Sequence, residues 1–279
     1  MISKVGGDPI VQDGTVEQRI IAISAEFMCQ LVALRGSKLS GGSRLKADLG
    51  SVLQPPKVLN PQQFFKRVQE MLGKGQFRLL DLGCGDGPHR RFIQQAGYEW
   101  VGCDWDGSVD PKALARAGSE LDGKVIKYGG LKLPFQDKFF DTVWSYQSLE
   151  HVRHPEITIA EVSRCLRKDG LFAGSASFLE PYHAQSTFGY TPYGFQIICE
   201  RHGIELLTIQ PAQDVLALFV KKIVQMLGVA VDGAKLHLAL MNADLMSPLR
   251  DAFESKNADE LASVFGQICG TFRFIGRKQ

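Results

Sequence analysis

Alternating glycines followed by a distant acid could hold a ligand that carries a nucleoside. Gly83, Gly85 and Gly87 lie in LLDLGCGDGPHRRF (79–92), between an apolar run and a helix-like segment. Glycines in such a turn allow the backbone to approach a ligand closely. Asp104 ends the next predicted strand, at the distance where an acid binds a ribose. Its carboxylate could accept charge-assisted hydrogen bonds from both ribose hydroxyls.

Two common nucleotide-binding patterns fit this turn poorly. The phosphate-binding pattern GxxxxGK[ST] is absent. The dinucleotide pattern GxGxxG has its first two glycines at Gly83 and Gly85, but Pro88 stands in place of the third. Because that third glycine allows the helix to pack closely on the strand, proline is a poor substitute. An NAD-type oxidoreductase stays open as an alternative.

Strands that alternate with helices must position this turn. We predict strands at 77–82, 99–104, 124–128, 139–145, 171–178, 204–209 and 270–278. We predict helices at 15–34, from Pro61 with Asn60 as cap, from about Pro88, and at 154–170 and 191–203. This alternation predicts an α/β fold whose parallel sheet is covered by helices on both faces. A ligand is then expected at the carboxyl ends of the strands.

Two segments depart from the alternating pattern. Residues 1–60 are predicted to be an N-terminal helical extension, and residues 61–279 one domain with a helical insertion at about 211–268. Within the insertion, 215–231 is apolar with two central lysines. It could pack on the sheet edge, close a homodimer, cover the acceptor pocket or lie on a membrane surface; membrane contact is not expected.

Composition excludes several classes of protein. The 279 residues are 44% hydrophobic and 22% charged, which is typical of a soluble globular protein, and the net charge of +2 does not favour nucleic acid as a partner. The six cysteines form no CxxC pair, so neither a disulfide framework nor a zinc site is expected. The first residues contain no apolar signal-peptide core, which predicts a cytoplasmic location.

The turn spells D-x-G-x-G-x-G from Asp81 to Gly87 and resembles motif I of the class I S-adenosylmethionine-dependent methyltransferases. The block LKLPFQDKFFDTVWSYQSLEHV (131–152) is similar to the LPF…FD…LEHV block of the methyltransferase type 11 group. LRKDGLF (166–172) resembles that group's exit from a helix into strand five. The resemblance implies a three-layer, Rossmann-like fold with a seven-stranded, mostly parallel sheet whose last strand is inserted antiparallel.

The resemblance also implies S-adenosyl-L-methionine as cofactor and a set of residues around it. Asp104 would bind the ribose, and Trp105 would lie against the adenine. The other implied contacts are Asp81, Gly83, Cys84, Gly85 and Gly87 to the methionine part, Gly130 and Leu131 to the adenine edge, and Ser145 and Tyr146 to the sulfonium region. Many relatives carry an acid for the adenine amino group where this chain has Gly129.

Histidines near the expected site could remove a proton from a hydroxyl acceptor. His151 follows strand four, and His183 lies in an aromatic-rich loop after strand five. An imidazole can take up a proton near neutral pH, so we expect His183 or His151 to be the general base, with Glu150 as a third candidate. Glu150, His151, His154 and His183 could also bind a metal ion, but only two of these histidines are close in sequence, so no metal is predicted.

These observations predict S-adenosylmethionine-dependent methyl transfer to a small-molecule acceptor. The atom methylated is expected to be oxygen, on a sugar, a quinone-like compound or a secondary metabolite. A non-catalytic, cofactor-binding regulatory subunit is the alternative from a different class of protein.

Overall fold

The computed structural model describes residues 48–54, 57, 59–73, 75–105, 123–183, 185–215 and 269–279, with a few isolated residues between 218 and 267. The predicted helix at 15–34 and most of the insertion at 211–268 lie outside the described residues. So does most of 215–231.

The described residues form a seven-stranded sheet of order β3-β2-β1-β4-β5-β7-β6. Strands β1 to β5 are parallel, and β7 runs antiparallel to both β5 and β6. The bounds are β1 Phe77–Leu82, β2 Tyr98–Trp105, β3 Val125–Tyr128, β4 Phe140–Tyr146, β5 Leu166–Ser177, β6 Ile204–Asp214 and β7 Cys269–Lys278. The predicted Rossmann-like α/β fold is confirmed, including the antiparallel last strand.

Helices cover both faces of the sheet because successive strand residues point to opposite sides. The helices are α1 Pro61–Leu72, α2 Arg90–Gln95, α3 Pro155–Cys165 and α4 Pro192–Arg201. Leu79 packs in one apolar cluster with residues of α1 and α2, whereas Leu80 packs in a second cluster with residues of α3 and α4. Two cores therefore hold the sheet between them.

The start of α1 forms as the sequence predicts. Asn60 accepts a hydrogen bond from the Gln63 backbone N–H, and the Gln63 side chain accepts one from the Asn60 N–H. Pro61 occupies the first helical turn, where its missing N–H costs nothing.

Two element bounds were predicted wrongly. The helix expected to reach Gly170 ends at Cys165, and β5 begins at Leu166 rather than at 171. Leu166 is extended and buried, and it pairs with Phe140 before a register shift brings Leu171 opposite Thr142. Burial and pairing of this leucine therefore override the helical spacing.

Strand β6 is longer than predicted. It reaches Asp214, paired with Cys269 at the start of β7. The first residues assigned to the helical insertion are therefore strand. None of the helices in the described part of the chain is long and apolar enough to cross a bilayer.

Candidate active site

A cavity of about 1010 Å³ opens at the carboxyl ends of β1 to β4. This is where parallel α/β sheets bind their ligands. Eight of the predicted site residues line it: Gly83, Gly85, Asp104, Trp105, Gly130, Leu131, Ser145 and His151. The strand order, and not their spacing in the chain, brings these residues together.

Gly83 allows β1 and the segment after β4 to approach each other. Its φ is +74°, and a Cβ built on it would collide with the side chain of Ser148. The Ser148 hydroxyl donates to the Leu82 carbonyl at 3.0 Å and is hydrogen-bonded to the Ser145 hydroxyl at 2.7 Å. Gly83 was predicted to allow a close approach, and in the structure the group that approaches it is the Ser148 side chain.

Gly85 joins the glycine turn to Asp104. Its N–H donates to one carboxylate oxygen of Asp104 at 2.8 Å, and the other oxygen accepts from the Trp105 N–H at 2.8 Å. A carboxylate has about four acceptor positions, so Asp104 retains acceptor capacity beside the cavity. A Cβ built on Gly85 would meet no atom within 4 Å, so bare backbone and open space lie in front of this acid.

Trp105 presents an aromatic surface at the rim of the cavity. Its side chain is 51% exposed. The Arg153 guanidinium lies 5.2 Å from its ring centroid, and Gly130 lies against the ring. Gly129 also lines the cavity, and a Cβ on it would meet nothing within 4 Å. Glycine backbone and an aromatic face leave room for a planar base, which fits the adenosyl group expected from the sequence.

Asp81, which was expected to surround the methionine part, is not among the residues that line the cavity. Its side chain is 1% exposed and accepts a hydrogen bond from the Trp100 indole N–H at 3.0 Å. Burial raises the pKa of Asp81 to about 7, although the Trp100 hydrogen bond acts in the opposite direction. Asp81 therefore contacts the neighbouring strand through Trp100.

This burial predicts a pH-dependent effect of Asp81→Asn on stability. The folded carboxyl titrates near pH 7 and the unfolded one near 3.8, so its stabilisation of the folded state is complete below about pH 4 and is lost as the pH rises through 7. Asparagine does not titrate. From pH 4 to pH 8 the free energy of unfolding of the variant, relative to wild type, should rise by about 2–4 kcal/mol.

Urea unfolding at the two pH values would measure this difference. A pH-independent difference between Asp81→Asn and wild type would contradict the burial argument.

Three other predicted residues also lie outside the cavity lining. Cys84 is buried, and burial raises the pKa of its thiol to about 12, so it is a small packed side chain and not a reactive thiolate. A Cβ on Gly87 would contact Trp100 at 3.5 Å. The Tyr146 ring stacks on Trp144 with centroids 5.4 Å apart.

The two candidate bases meet around a buried acid. The rings of His151 and His183 lie edge to face with centroids 5.2 Å apart. His151 lines the large cavity, whereas His183 lines a smaller neighbouring one of about 210 Å³. Glu150 is fully buried, and burial raises the pKa of its carboxyl to about 7. One potential ligand atom from each of the three residues lies within 4.8 Å of the others.

Backbone hydrogen bonds hold the His183 loop against this acid. The Thr187 and Phe188 N–H groups donate to the Glu150 carbonyl at 2.6 and 3.2 Å, and the Thr187 hydroxyl donates to it at 3.0 Å. The Tyr190 hydroxyl donates to the Leu149 carbonyl at 3.0 Å. All of these hydrogen bonds end on the Glu150 or Leu149 carbonyl, and none of them involves the Glu150 side chain.

Sequence reasoning missed several residues of the cavity wall. Gln147 has φ +54°, a conformation that side chains rarely adopt and that is common at functional sites. Its side chain donates to the Ser175 hydroxyl at 2.7 Å. The other unforeseen lining residues include Ser148, Arg153, Gln185, Ser186 and Thr187. Only the polar run after β4 could have suggested part of this set.

Comparison with known proteins gives a consistent result. Residues 80–174 match the family described as "Methyltransferase domain". A 27-O-demethylrifamycin SV methyltransferase from Amycolatopsis mediterranei is 32% identical over 112 residues, which are 37% of this chain and 40% of that protein. A ubiquinone biosynthesis O-methyltransferase from Actinobacillus pleuropneumoniae is 26% identical over 132 residues, covering 44% of this chain and 56% of the relative.

The chain spans about 40% or less of the length of the first relatives that it matches. Sterol C-methyltransferases and a glycine/sarcosine/dimethylglycine N-methyltransferase also match, so the relatives act on different atoms. Among solved structures, an S-adenosylmethionine dependent methyltransferase from Mesorhizobium loti superposes with a TM-score of 0.45 and 16% identity, covering 77% of this chain and 97% of that one.

Proposed function

We propose that this protein transfers a methyl group from S-adenosylmethionine to an oxygen atom of a small-molecule acceptor, because residues 80–174 match the methyltransferase domain family. The observation that carries the proposal is the cavity wall formed by Gly85 and Asp104. It combines bare backbone, an acid with free acceptor capacity and open space at the carboxyl edge of the sheet.

The cofactor is proposed to lie along this wall. Asp104 would accept hydrogen bonds from the ribose hydroxyls, and Trp105 with Gly130 and Leu131 would contact the adenine. Gly83 and Gly85 would face the methionine part. Asp81, Cys84, Gly87 and Tyr146 do not line the cavity, so they are not proposed to contact the cofactor directly.

When bound, the cofactor supplies a methyl group activated by a positively charged sulfur, and the transfer neutralises that charge. The chain itself therefore needs no oxyanion hole. Its main contribution is to hold the acceptor in line, and such positioning can supply about 7–11 kcal/mol. Ser145 in β4 and His151 shortly after it line the cavity and are proposed to border the acceptor.

The acceptor's proton is proposed to leave towards the histidines. His151 reaches the cavity directly, and His183 lies behind it in ring contact. A positioned base contributes about 10²–10⁴-fold to such a step. When no metal ion is bound, His151 and His183 therefore remain the candidate general bases.

The cavity mouth favours an acceptor that combines a hydroxyl with an apolar body. Tyr182 is 70% exposed and Leu131 is 53% exposed at its rim, beside the polar Gln185 and Ser186. Two of the relatives are named for O-methylation or for a rifamycin acceptor. A hydroxylated quinone-like compound or secondary metabolite fits this surface, and a sugar attached to such a body would also fit.

Calorimetry and a methyl-transfer assay test the proposal on the full chain. We expect S-adenosylhomocysteine to bind with one site, and labelled S-adenosylmethionine to methylate at least one member of a panel of hydroquinones, hydroxylated polyketides and glycosides. Binding without transfer to any acceptor, including those in a cell extract, would favour the regulatory-subunit alternative. Binding of NADH instead would overturn the assignment.

A further inference from the structure

Glu150 poses an electrostatic problem that the proposed methyl transfer does not explain. Its side chain is fully buried, and neither carboxylate oxygen has a hydrogen-bond partner among the described residues. Ser177 is close by, but its hydroxyl proton is donated to Glu180. A buried carboxylate without donors is costly and normally has a cationic partner.

His183 presents a nitrogen lone pair to this carboxylate. Its Nδ1 lies 3.1 Å from the Pro181 carbonyl, and because a carbonyl can only accept, Nδ1 carries the hydrogen in that contact. In the neutral ring Nε2 is then the unprotonated atom, and it faces Glu150 Oε1 at 4.0 Å. Metal-binding histidines commonly donate their second N–H to a carbonyl in this way.

The separations suit an ion better than a shared proton. A hydrogen bond requires heavy atoms within about 3.2 Å, and the 4.0 Å gap between His183 Nε2 and Glu150 Oε1 exceeds this. Metal–ligand bonds of about 2.0–2.2 Å in tetrahedral geometry place two donor atoms roughly 3.3–3.6 Å apart. The three donor atoms lie within 4.8 Å of one another, so side-chain rotations that move them by roughly 1 Å would bring them into that range.

We propose that Glu150, His151 and His183 bind one divalent transition-metal ion. Two imidazoles and one carboxylate are a ligand set for Zn²⁺ and its first-row neighbours, whereas Mg²⁺ and Ca²⁺ prefer oxygen ligands alone. Hydrogen bonds from Thr187, Phe188 and the Tyr190 hydroxyl to the Glu150 and Leu149 carbonyls hold the loop after His183 against the segment that contains Glu150. Ion binding therefore needs no refolding of the loop, and it does not depend on the proposed function.

The position of His151 extends this inference to the acceptor. His151 lines the large cavity, so an ion with three protein ligands keeps an open position on that side. A bound hydroxyl loses its proton more readily at such an ion. This extension rests on the proposed function. With the ion bound, His151 and His183 would be its ligands and not general bases, so the hydroxyl proton would pass to solvent.

The test is a titration of the full, chelator-stripped protein with ZnCl₂, followed by calorimetry. We expect one equivalent to bind, and Glu150→Gln and His183→Ala each to weaken binding at least about 100-fold, since even the loss of an outer-shell partner costs about 10–100-fold. His202→Ala, which removes a histidine that pairs with Glu156 outside the cavity lining, is the control and should bind as wild type does. Co²⁺ in place of Zn²⁺ should give visible absorption bands that both variants lose.

Equal Zn²⁺ affinity in wild type, Glu150→Gln and His183→Ala would overturn the proposal, as would the absence of binding to wild type. Circular dichroism shows whether each variant folds. If Glu150→Gln does not fold, the Zn²⁺ affinity of His183→Ala tests the proposal. Binding of S-adenosylhomocysteine is measured on the same samples. If wild type binds S-adenosylhomocysteine but not Zn²⁺, the metal site is refuted and the proposed function stands. If wild type binds Zn²⁺ but not S-adenosylhomocysteine, only the proposed function is refuted.

Discussion

Gly85→Val should weaken binding of S-adenosylhomocysteine at least about 100-fold, or about 2.7 kcal/mol, while the protein stays folded. The Gly85 Cβ position points into open space in front of Asp104, so valine would place three carbons where the cofactor is proposed to lie. Its φ of +50° also makes a side chain costly, by roughly 1–2 kcal/mol of folding free energy. Calorimetry and thermal unfolding measure the two effects separately.

Gly97→Val is the matched control for that backbone strain. Gly97 has φ +88°, and a Cβ on it would meet nothing within 4 Å, but it follows α2 and does not line the cavity. It should lose comparable stability and keep full cofactor binding. If both variants lose binding equally, the loss comes from destabilisation, and the cofactor does not lie against Gly85.

Asp104→Ala should have the second large effect. The variant loses a carboxylate that is proposed to accept two charge-assisted hydrogen bonds, each contributing about 1.5–3 kcal/mol, so S-adenosylhomocysteine should bind at least about 100-fold more weakly. Asp104→Asn keeps one acceptor oxygen, which can still accept from the Gly85 N–H. It should fall between wild type and the alanine variant, at about 10–100-fold.

Asp86→Asn controls for the change in net charge. Asp86 is exposed in the same turn and outside the cavity lining, so its variant should bind the cofactor as wild type does. Wild-type affinity of Asp104→Ala would show that the ribose lies elsewhere. Equal losses in Asp104→Asn and Asp104→Ala would mean that the negative charge matters more than the number of acceptors.

The sequence by itself determined the order of elements and the edge of the sheet that carries the site. Short apolar runs between helical segments predicted all seven strands, because strand and helix periodicities are local properties. The glycine turn and Asp104 could be paired for a similar reason. Parallel neighbouring strands end at the same edge, so a turn after β1 and an acid at the end of β2 must meet.

Tertiary structure alone decided which side chains face the cavity. Asp81 lies near the end of β1, just before the turn that contains Gly85, yet it is buried and accepts a hydrogen bond from Trp100 of the neighbouring strand. Strand β5 begins at Leu166 because pairing with Phe140 and burial outweigh the helical spacing of the preceding residues. No local pattern contains this information.

The cluster around Glu150 also depends on the tertiary structure. His183 is 32 positions along the chain from His151, so their spacing argued against a shared site. Hydrogen bonds from Thr187 and Phe188 to the Glu150 carbonyl bring the two rings into contact. Local sequence determines which residues can do chemistry, but long-range backbone bonds and burial determine which of them meet and what charge they must accommodate.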